Sequence, residues 1–124
     1  MKLKILIVED DDIATIYLTE IVEKLSREIL YAANGLSGIE QFKNHDDIDL
    51  ILMDIKLPDL NGYEVTKQIR LNNKKVIIIA QTAYAMSSDR IKAINAGCND
   101  YVSKPVSQEM LMKTINKYLN LDVN

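Results

Sequence analysis

Short apolar segments alternate with helical segments along almost the whole chain, and this alternation most restricts how the chain can fold. Five segments rich in β-branched residues or tyrosine are predicted to be strands: 4–8, 29–33, 50–53, 76–80 and 99–102. The segment 76–80 reads VIIIA, which is typical of a strand buried on both faces of a parallel sheet.

Helical segments are predicted between and after these strands, at 12–25, 35–43, 62–71, 87–96 and 107–119. In the first of them, the apolar positions with helical spacing are Ala14, Leu18, Ile21, Val22 and Leu25. In the fourth, Ile91 and Ile94 are the apolar positions expected to face the core. This strict alternation predicts an α/β fold, a doubly wound parallel sheet with helices on both faces, because five strands are too few for an eight-stranded barrel.

Composition excludes several classes of protein. The chain has 124 residues, a net charge of −3 and a single cysteine, Cys98, so neither nucleic-acid binding nor an intrachain disulfide is expected. No apolar run approaches the length of a membrane span, and Met1 leads almost directly into the first strand, without room for a signal peptide. We therefore expect one cytoplasmic domain over residues 1–124, without a membrane segment.

Polar side chains gather where the predicted strands end. Listed by strand, they are Glu9, Asp10 and Asp11 after the first, Asp54 after the third, Gln81 and Thr82 after the fourth, and Lys104 after the fifth. In a doubly wound sheet the carboxyl ends of the strands form one edge, where ligands bind. We therefore expect these side chains to meet in one site.

The chemistry of this set indicates a phosphoryl group and a divalent cation. Three carboxylates at one place suit Mg²⁺, which prefers oxygen ligands and often binds one or two carboxylates together with a phosphate. A lysine ammonium and a threonine hydroxyl beside them can bind phosphoryl oxygens. Asp11 or Asp12 could also cap the first helix, and this is the role expected for Asp12.

Four motifs, in order and at matching spacing, resemble the receiver domains of two-component response regulators: ILIVEDD, LILMDIKLPDLNGYEV, IIIAQTAYAM and AGCNDYVSKPV. The residue pattern of the last two motifs is most similar to that of receivers attached to hybrid histidine kinases. The resemblance implies a flavodoxin-like three-layer sandwich, with strand order 2-1-3-4-5. It also implies a phosphorelay switch that catalyses only its own phosphorylation and dephosphorylation, rather than an enzyme.

The resemblance further implies a role for each site residue. Asp54 would accept a phosphoryl group from a phosphohistidine. Mg²⁺ would be bound by the carboxylates of Asp10 and Asp54, by the backbone carbonyl of Lys56, and by Glu9 through water. Lys104 would pair with the phosphoryl oxygens.

Signal output is implied as well. Thr82 would hydrogen-bond a phosphoryl oxygen, and Tyr101 would be the aromatic switch residue, so that partner binding changes at the fourth helix, fifth strand and fifth helix. Tyr84 lies two residues after Thr82, where receivers tune dephosphorylation, and the alternative that it is an exposed aromatic residue without a role stays open. The bond before Pro105 is expected to be cis. A phosphorylation-dependent dimer is left open.

The expected partner is a histidine kinase or a histidine-phosphotransfer protein. Ile13, Ile16 and Tyr17 are apolar but lie off the buried stripe of the first helix, next to the acidic residues. An apolar patch beside an active site is a candidate partner surface, and receivers of this kind dock a helical bundle there. The alternative, that these residues cover the edge of the core, stays open.

Three other functions fit the sequence less well. An aspartate-nucleophile phosphatase would carry a second aspartate two residues after Asp54, where this chain has Lys56. A flavin carrier would need a Ser/Thr/Gly-rich phosphate loop after the first strand, and the acids there would repel a phosphate. A receiver that has lost phosphorylation is disfavoured by the intact acidic set.

Overall fold

The computed structural model describes residues 2–83 and 87–120, and the alternation predicted from the sequence is present throughout. Five strands and five helices follow one another in this order: β1 Leu3–Val8, α1 Asp12–Val22, β2 Ser26–Ala32, α2 Gly35–Asn44, β3 Leu50–Asp54, α3 Gly62–Arg70, β4 Ile77–Thr82, α4 Ser87–Ala96, β5 Asp100–Ser103 and α5 Gln108–Leu119. All paired strands are parallel. The sheet order is β2-β1-β3-β4-β5, which confirms the predicted fold.

The sheet separates two hydrophobic cores. Successive strand residues point to opposite faces, so that Ile5 and Ile7 enter one core while Leu6 and Val8 enter the other. The first core is closed by α1 and α5, and the second by α2, α3 and α4. Helices therefore cover both faces of the sheet, and the strand ends are left for polar groups.

Helix α1 is shorter than its apolar spacing predicted. It ends at Val22, and one turn of 3₁₀ helix, Glu23–Leu25, completes the predicted segment. Leu18, Ile21 and Val22 are buried as expected. Of the two candidate caps, Asp11 is the N-cap: its side chain accepts a hydrogen bond from the Ala14 N–H at 2.9 Å. The capping role expected for Asp12 was wrong, because Asp12 is the first helical residue.

Strand β2 begins at Ser26, three residues before its predicted start. It is an edge strand, and its first residues, Ser26, Arg27 and Glu28, are partly or fully exposed. Because an edge strand pairs on one side only, it can carry polar residues that an apolar-run criterion rejects.

Helix α4 has the predicted bounds but not the predicted buried face. Ala93 and Ala96 are buried, whereas Ile91 and Ile94 are exposed. The expectation that these two isoleucines face the core was therefore wrong. Within residues 2–83 and 87–120, no helix is both long and apolar enough to cross a bilayer.

Candidate functional site

Three carboxylates meet at the carboxyl edge of the sheet. Glu9 and Asp10 directly follow β1, and Asp54 is the last residue of the neighbouring β3. One carboxylate oxygen from each lies within 4.8 Å of the others. Glu9 and Asp54 are buried and Asp10 is exposed, so the cluster is open to solvent on one side. These oxygen donors fit a hard divalent cation such as Mg²⁺.

Lys104 closes the other side of this cluster. Its Nζ lies 2.8 Å from Asp54 Oδ1 and 3.8 Å from Glu9 Oε1. The pairing of β4 with β5 brings it there, because the Lys104 N–H donates to the Thr82 carbonyl at 2.8 Å. Thr82 itself is buried at the end of β4. The Lys104–Pro105 bond is cis, as expected.

The electrostatics of Glu9 also suit a cation. Burial, followed by the hydrogen-bonding and charge effects of the Asp54 carboxylate, raises the pKa of Glu9 to about 7. The Asp11 N–H donates to Glu9 Oε2 at 3.2 Å, which opposes this shift. Glu9 Oε1 is buried and has no hydrogen-bond partner among the described residues. A bound cation would supply this oxygen with a partner, because Lys104 pairs with it only at 3.8 Å and a buried charge without a close partner is unfavourable.

Lys104 retains its positive charge at neutral pH. Burial alone would lower the pKa of its ammonium, but the hydrogen bond and charge of Asp54, with weaker help from Glu9 and Asp10, raise the pKa above its ordinary value. A fixed cation beside Asp54 can attract the oxygens of an incoming phosphoryl group.

The loop after Asp54 is held by close packing. The Lys56 N–H is 3.3 Å from Asp54 Oδ1, and the Gly62 N–H donates to the Ile55 carbonyl at 2.8 Å. A Cβ at position 62 would lie 2.3 Å from the Asp54 carbonyl oxygen, so only glycine allows this approach. The loop is thereby fixed beside the candidate cation site.

Asp59 ties the same loop to α2. Its two carboxylate oxygens accept from the Gly35 N–H at 2.7 Å and from the Leu36 N–H at 2.9 Å. The Leu36 and Gly35 N–H groups lower the pKa of this carboxyl. Sequence reasoning gave Asp59 no role, because nothing local indicates that it caps a helix 24 residues earlier.

Gln81 is the second residue whose environment the sequence did not reveal. It pairs with Asp54 across the sheet and is 2% exposed, yet its Nε2 has no hydrogen-bond partner among the described residues. Its side chain lines a cavity of about 340 Å³ together with Glu9 and Lys104. The amide is therefore a buried donor beside the charged cluster.

The three apolar residues of α1 are all exposed: Ile13 at 78%, Ile16 at 60% and Tyr17 at 42%. Ile13 and Tyr17 line the same 340 Å³ cavity as Glu9 and Lys104. Ile16 lines a second groove, together with Tyr31 of β2. Ile13 and Tyr17 thus border the charged site directly.

Tyr101 is half-buried on β5 and packs against the core under α2, α3 and α4. It lies one residue from Val102, the β5 partner of Gln81. Tyr84 lies outside the described residues, so its role in tuning dephosphorylation stays a prediction.

Comparison with known proteins finds relatives that match this chain over nearly its whole length. The family model for the response regulator receiver domain matches residues 5–116. The polar-differentiation response regulator DivK of Brucella anthropi is 36% identical over 121 residues, which cover 96% of this chain and 98% of DivK.

Solved structures agree with this finding. The receiver domain of Ssk1 from Saccharomyces cerevisiae, crystallised with the histidine phosphotransfer protein Ypd1, superposes with a TM-score of 0.87 at 36% identity, covering 94% of this chain and 88% of that one. The receiver of sensor histidine kinase PA1611 from Pseudomonas aeruginosa, with magnesium coordinated in its active-site cleft, gives a TM-score of 0.84 at 31% identity, covering 98% and 100%. The chain belongs to the response regulator receiver family of two-component signalling.

Proposed function

We propose that this receiver takes a phosphoryl group from a phosphohistidine onto Asp54 with Mg²⁺, and then changes partner binding at α4, β5 and α5. The observation that carries this proposal is the placement of Asp54 between Lys104, 2.8 Å away, and the carboxylates of Glu9 and Asp10. An Asp54 oxygen would attack phosphorus, so that a P–O bond forms while the P–N bond to the donor imidazole breaks. The imidazole leaves with the bond's electron pair.

Each neighbouring residue has a separate task in this transfer. Asp10 and Asp54 would hold Mg²⁺ directly, with the Lys56 carbonyl as a further ligand and Glu9 acting through water. The ion would neutralise the phosphoryl oxygens, which otherwise repel an attacking carboxylate. Lys104 would exchange its contact with Asp54 for one with a phosphoryl oxygen.

Phosphorylation with acetyl phosphate tests the proposal without a partner protein. Intact mass measurement should show one added phosphoryl group in the presence of Mg²⁺ and none after chelation. Asp10→Asn should weaken Mg²⁺ binding by at least about tenfold and slow labelling in parallel, because a direct charged ligand is lost.

Asp12→Asn is the matched control, since Asp12 lies two residues away but belongs to the first turn of α1. It should bind Mg²⁺ and be labelled like wild type. Equal losses in the Asp10 and Asp12 variants would contradict the division between ligand and helix residue. The capping loss, about 0.5–2 kcal/mol of stability, should instead appear in Asp11→Ala.

Output through α4, β5 and α5 is proposed from three features. Thr82 lies beside the site, and Tyr101 is half-buried on the adjacent strand. A groove of about 490 Å³ runs along β5 and α5, lined by residues that include Tyr101 and Met110. Phosphoryl binding would favour the conformation in which Thr82 contacts it and Tyr101 moves inward, a shift between pre-existing states.

NMR spectra with beryllofluoride, which stands in for the phosphoryl group on Asp54, should detect this change. We expect shifts in α4, β5 and α5 as well as at the acidic cluster. The same addition to Asp54→Asn should leave the spectrum unchanged. Shifts confined to residues 9–12 and 54 would show that output does not use this face.

We further propose that residues 1–124 act as one receiver domain and that the protein is a switch rather than an enzyme with its own substrate. Its partner would be a histidine kinase or a histidine-phosphotransfer protein. Support comes from the site composition, in which Glu9, Asp10, Asp54 and Lys104 lie together and can each be assigned to Mg²⁺ or to phosphoryl oxygens. The cytoplasmic location stays a prediction.

A further inference from the structure

Tyr17 makes a hydrogen bond that its expected role as a docking residue does not explain. Its hydroxyl donates to the Val106 carbonyl at 2.6 Å, a contact between residues 89 positions apart. Tyr17 lies on α1, and Val106 lies two residues after Lys104, in the segment between β5 and α5. The bond therefore connects the apolar patch of α1 to the chain segment that carries the site lysine.

This segment is fixed at both ends. On one side of Lys104, its own N–H donates to the Thr82 carbonyl at 2.8 Å. On the other side, the Val106 side chain is buried in the core under α1 and α5, and the Val106 carbonyl accepts from Tyr17. The Lys104 side chain, one third exposed, spans from this segment to Asp54.

The position of the Lys104 ammonium consequently depends on how the backbone of residues 104–106 is held. Without the Tyr17 hydroxyl, the Val106 carbonyl loses its hydrogen bond to α1, and the segment can move away from the helix. A charged group aimed at a reacting centre loses much of its effect when it moves by as little as about 1 Å.

We propose that Tyr17 is a positioning residue for phosphoryl transfer, acting through the Val106 carbonyl to hold Lys104 over Asp54. The inference rests on the proposed function, since it requires Asp54 to be the acceptor. It adds a connection within this chain: the ring of Tyr17 belongs to the exposed patch, while its hydroxyl fixes the loop of the catalytic lysine. A phosphodonor protein that contacts the ring of Tyr17 would therefore also contact the residue that holds the segment of Lys104 in place.

Tyr17→Phe tests this inference because it removes the hydroxyl and keeps the ring. A net hydrogen bond is worth about 1 kcal/mol, so labelling by acetyl phosphate should slow by about fivefold. The Mg²⁺ dissociation constant should stay that of wild type, because the carboxylate cluster is untouched. A purely structural role would lower thermal stability without this selective loss of rate.

Tyr118→Phe is the matched control. The Tyr118 hydroxyl is also within hydrogen-bond distance of a backbone carbonyl, that of Asn99 at 2.9 Å, and of the Asp100 carboxylate at 3.0 Å. Both acceptors lie near the start of β5, at the end of the strand away from Lys104. This variant should lose some stability and be labelled at the wild-type rate. Slowing of both variants alike would overturn the inference, since any lost tyrosine hydrogen bond would then suffice.

A double-mutant cycle with Lys104→Ala tests whether Tyr17 acts through the lysine. Labelling of Lys104→Ala by acetyl phosphate is expected to be slow, so it is followed until it is complete. In this background, Tyr17→Phe should not lower the rate of labelling further. An undiminished fivefold effect there, or no effect in the wild-type background, would overturn the inference. Failure of the proposed function can be distinguished from failure of this inference, because in the first case the wild-type protein itself would not be labelled.

Discussion

Asp54→Asn is expected to abolish phosphorylation by acetyl phosphate, with no added mass detectable under conditions that fully label wild type. The amide nitrogen and oxygen of asparagine cannot replace a carboxylate nucleophile, so the P–O bond cannot form. Asparagine has nearly the same shape, and Asp54 is 2% exposed at the end of a central strand, so the packing of β3 should persist. The measurement is intact mass, with circular dichroism to show that the variant is folded.

Asp59→Asn provides the matched control for this variant. Asp59 is an aspartate of the same loop, but its carboxylate accepts from backbone N–H groups of α2 and lies outside the acidic cluster. It should lower thermal stability and still allow one phosphoryl group to be added. Label that persists in Asp54→Asn, for example on Glu9 or Asp10, would contradict the assignment of the acceptor.

The site could be predicted because its position follows from the fold alone. In a parallel sheet every strand delivers its following residue to the same edge, and Glu9, Asp54, Thr82 and Lys104 all follow or end strands. The apolar runs of β1 and β3 are buried throughout, and the only interruption in them is Lys4. That lysine is buried too, and its Nζ forms an ion pair with Asp47 at 2.8 Å.

Errors arose where burial does not follow hydrophobicity. Helix α4 buries Ala93 and Ala96 and exposes Ile91 and Ile94. Small residues allow a helix to approach its neighbours closely, and an apolar pattern cannot distinguish that arrangement from one in which the larger residues face the core. The polar start of β2 was missed for a related reason, because an edge strand does not need an apolar sequence.

Two contacts and one buried amide had no local signal in the sequence. The Tyr17 hydroxyl reaches Val106, the Asp59 carboxylate caps α2, and Gln81 places an amide without a described partner beside the charged cluster. Each depends on side-chain direction and on neighbours distant in sequence. The periodicity of apolar residues predicts the face of a helix or strand on which a residue lies, but not the atoms that its side chain contacts.

Replacing both Ile13 and Ile16 by serine should slow phosphoryl transfer from a histidine-phosphotransfer protein by about tenfold or more, while labelling by acetyl phosphate stays nearly that of wild type. Two exposed apolar anchors of an interface are together worth at least about 1.4 kcal/mol, which corresponds to a factor of ten. Both side chains project from α1 into solvent, so their loss should cost little stability. Tyr17 is left intact because its hydroxyl holds the loop of Lys104, and changing it would slow both donors.

Ile91→Ser with Ile94→Ser is the matched control for the docking variant, because it makes the same change at two exposed isoleucines of another helix, α4. Transfer from the protein donor should be unaffected by it. The decisive quantity is the ratio of the two transfer rates, protein donor over acetyl phosphate, since a general disturbance of Asp54 cancels in this ratio. A ratio equal to that of wild type in the Ile13 and Ile16 variant would mean that the patch only covers the edge of the core and that the donor docks elsewhere.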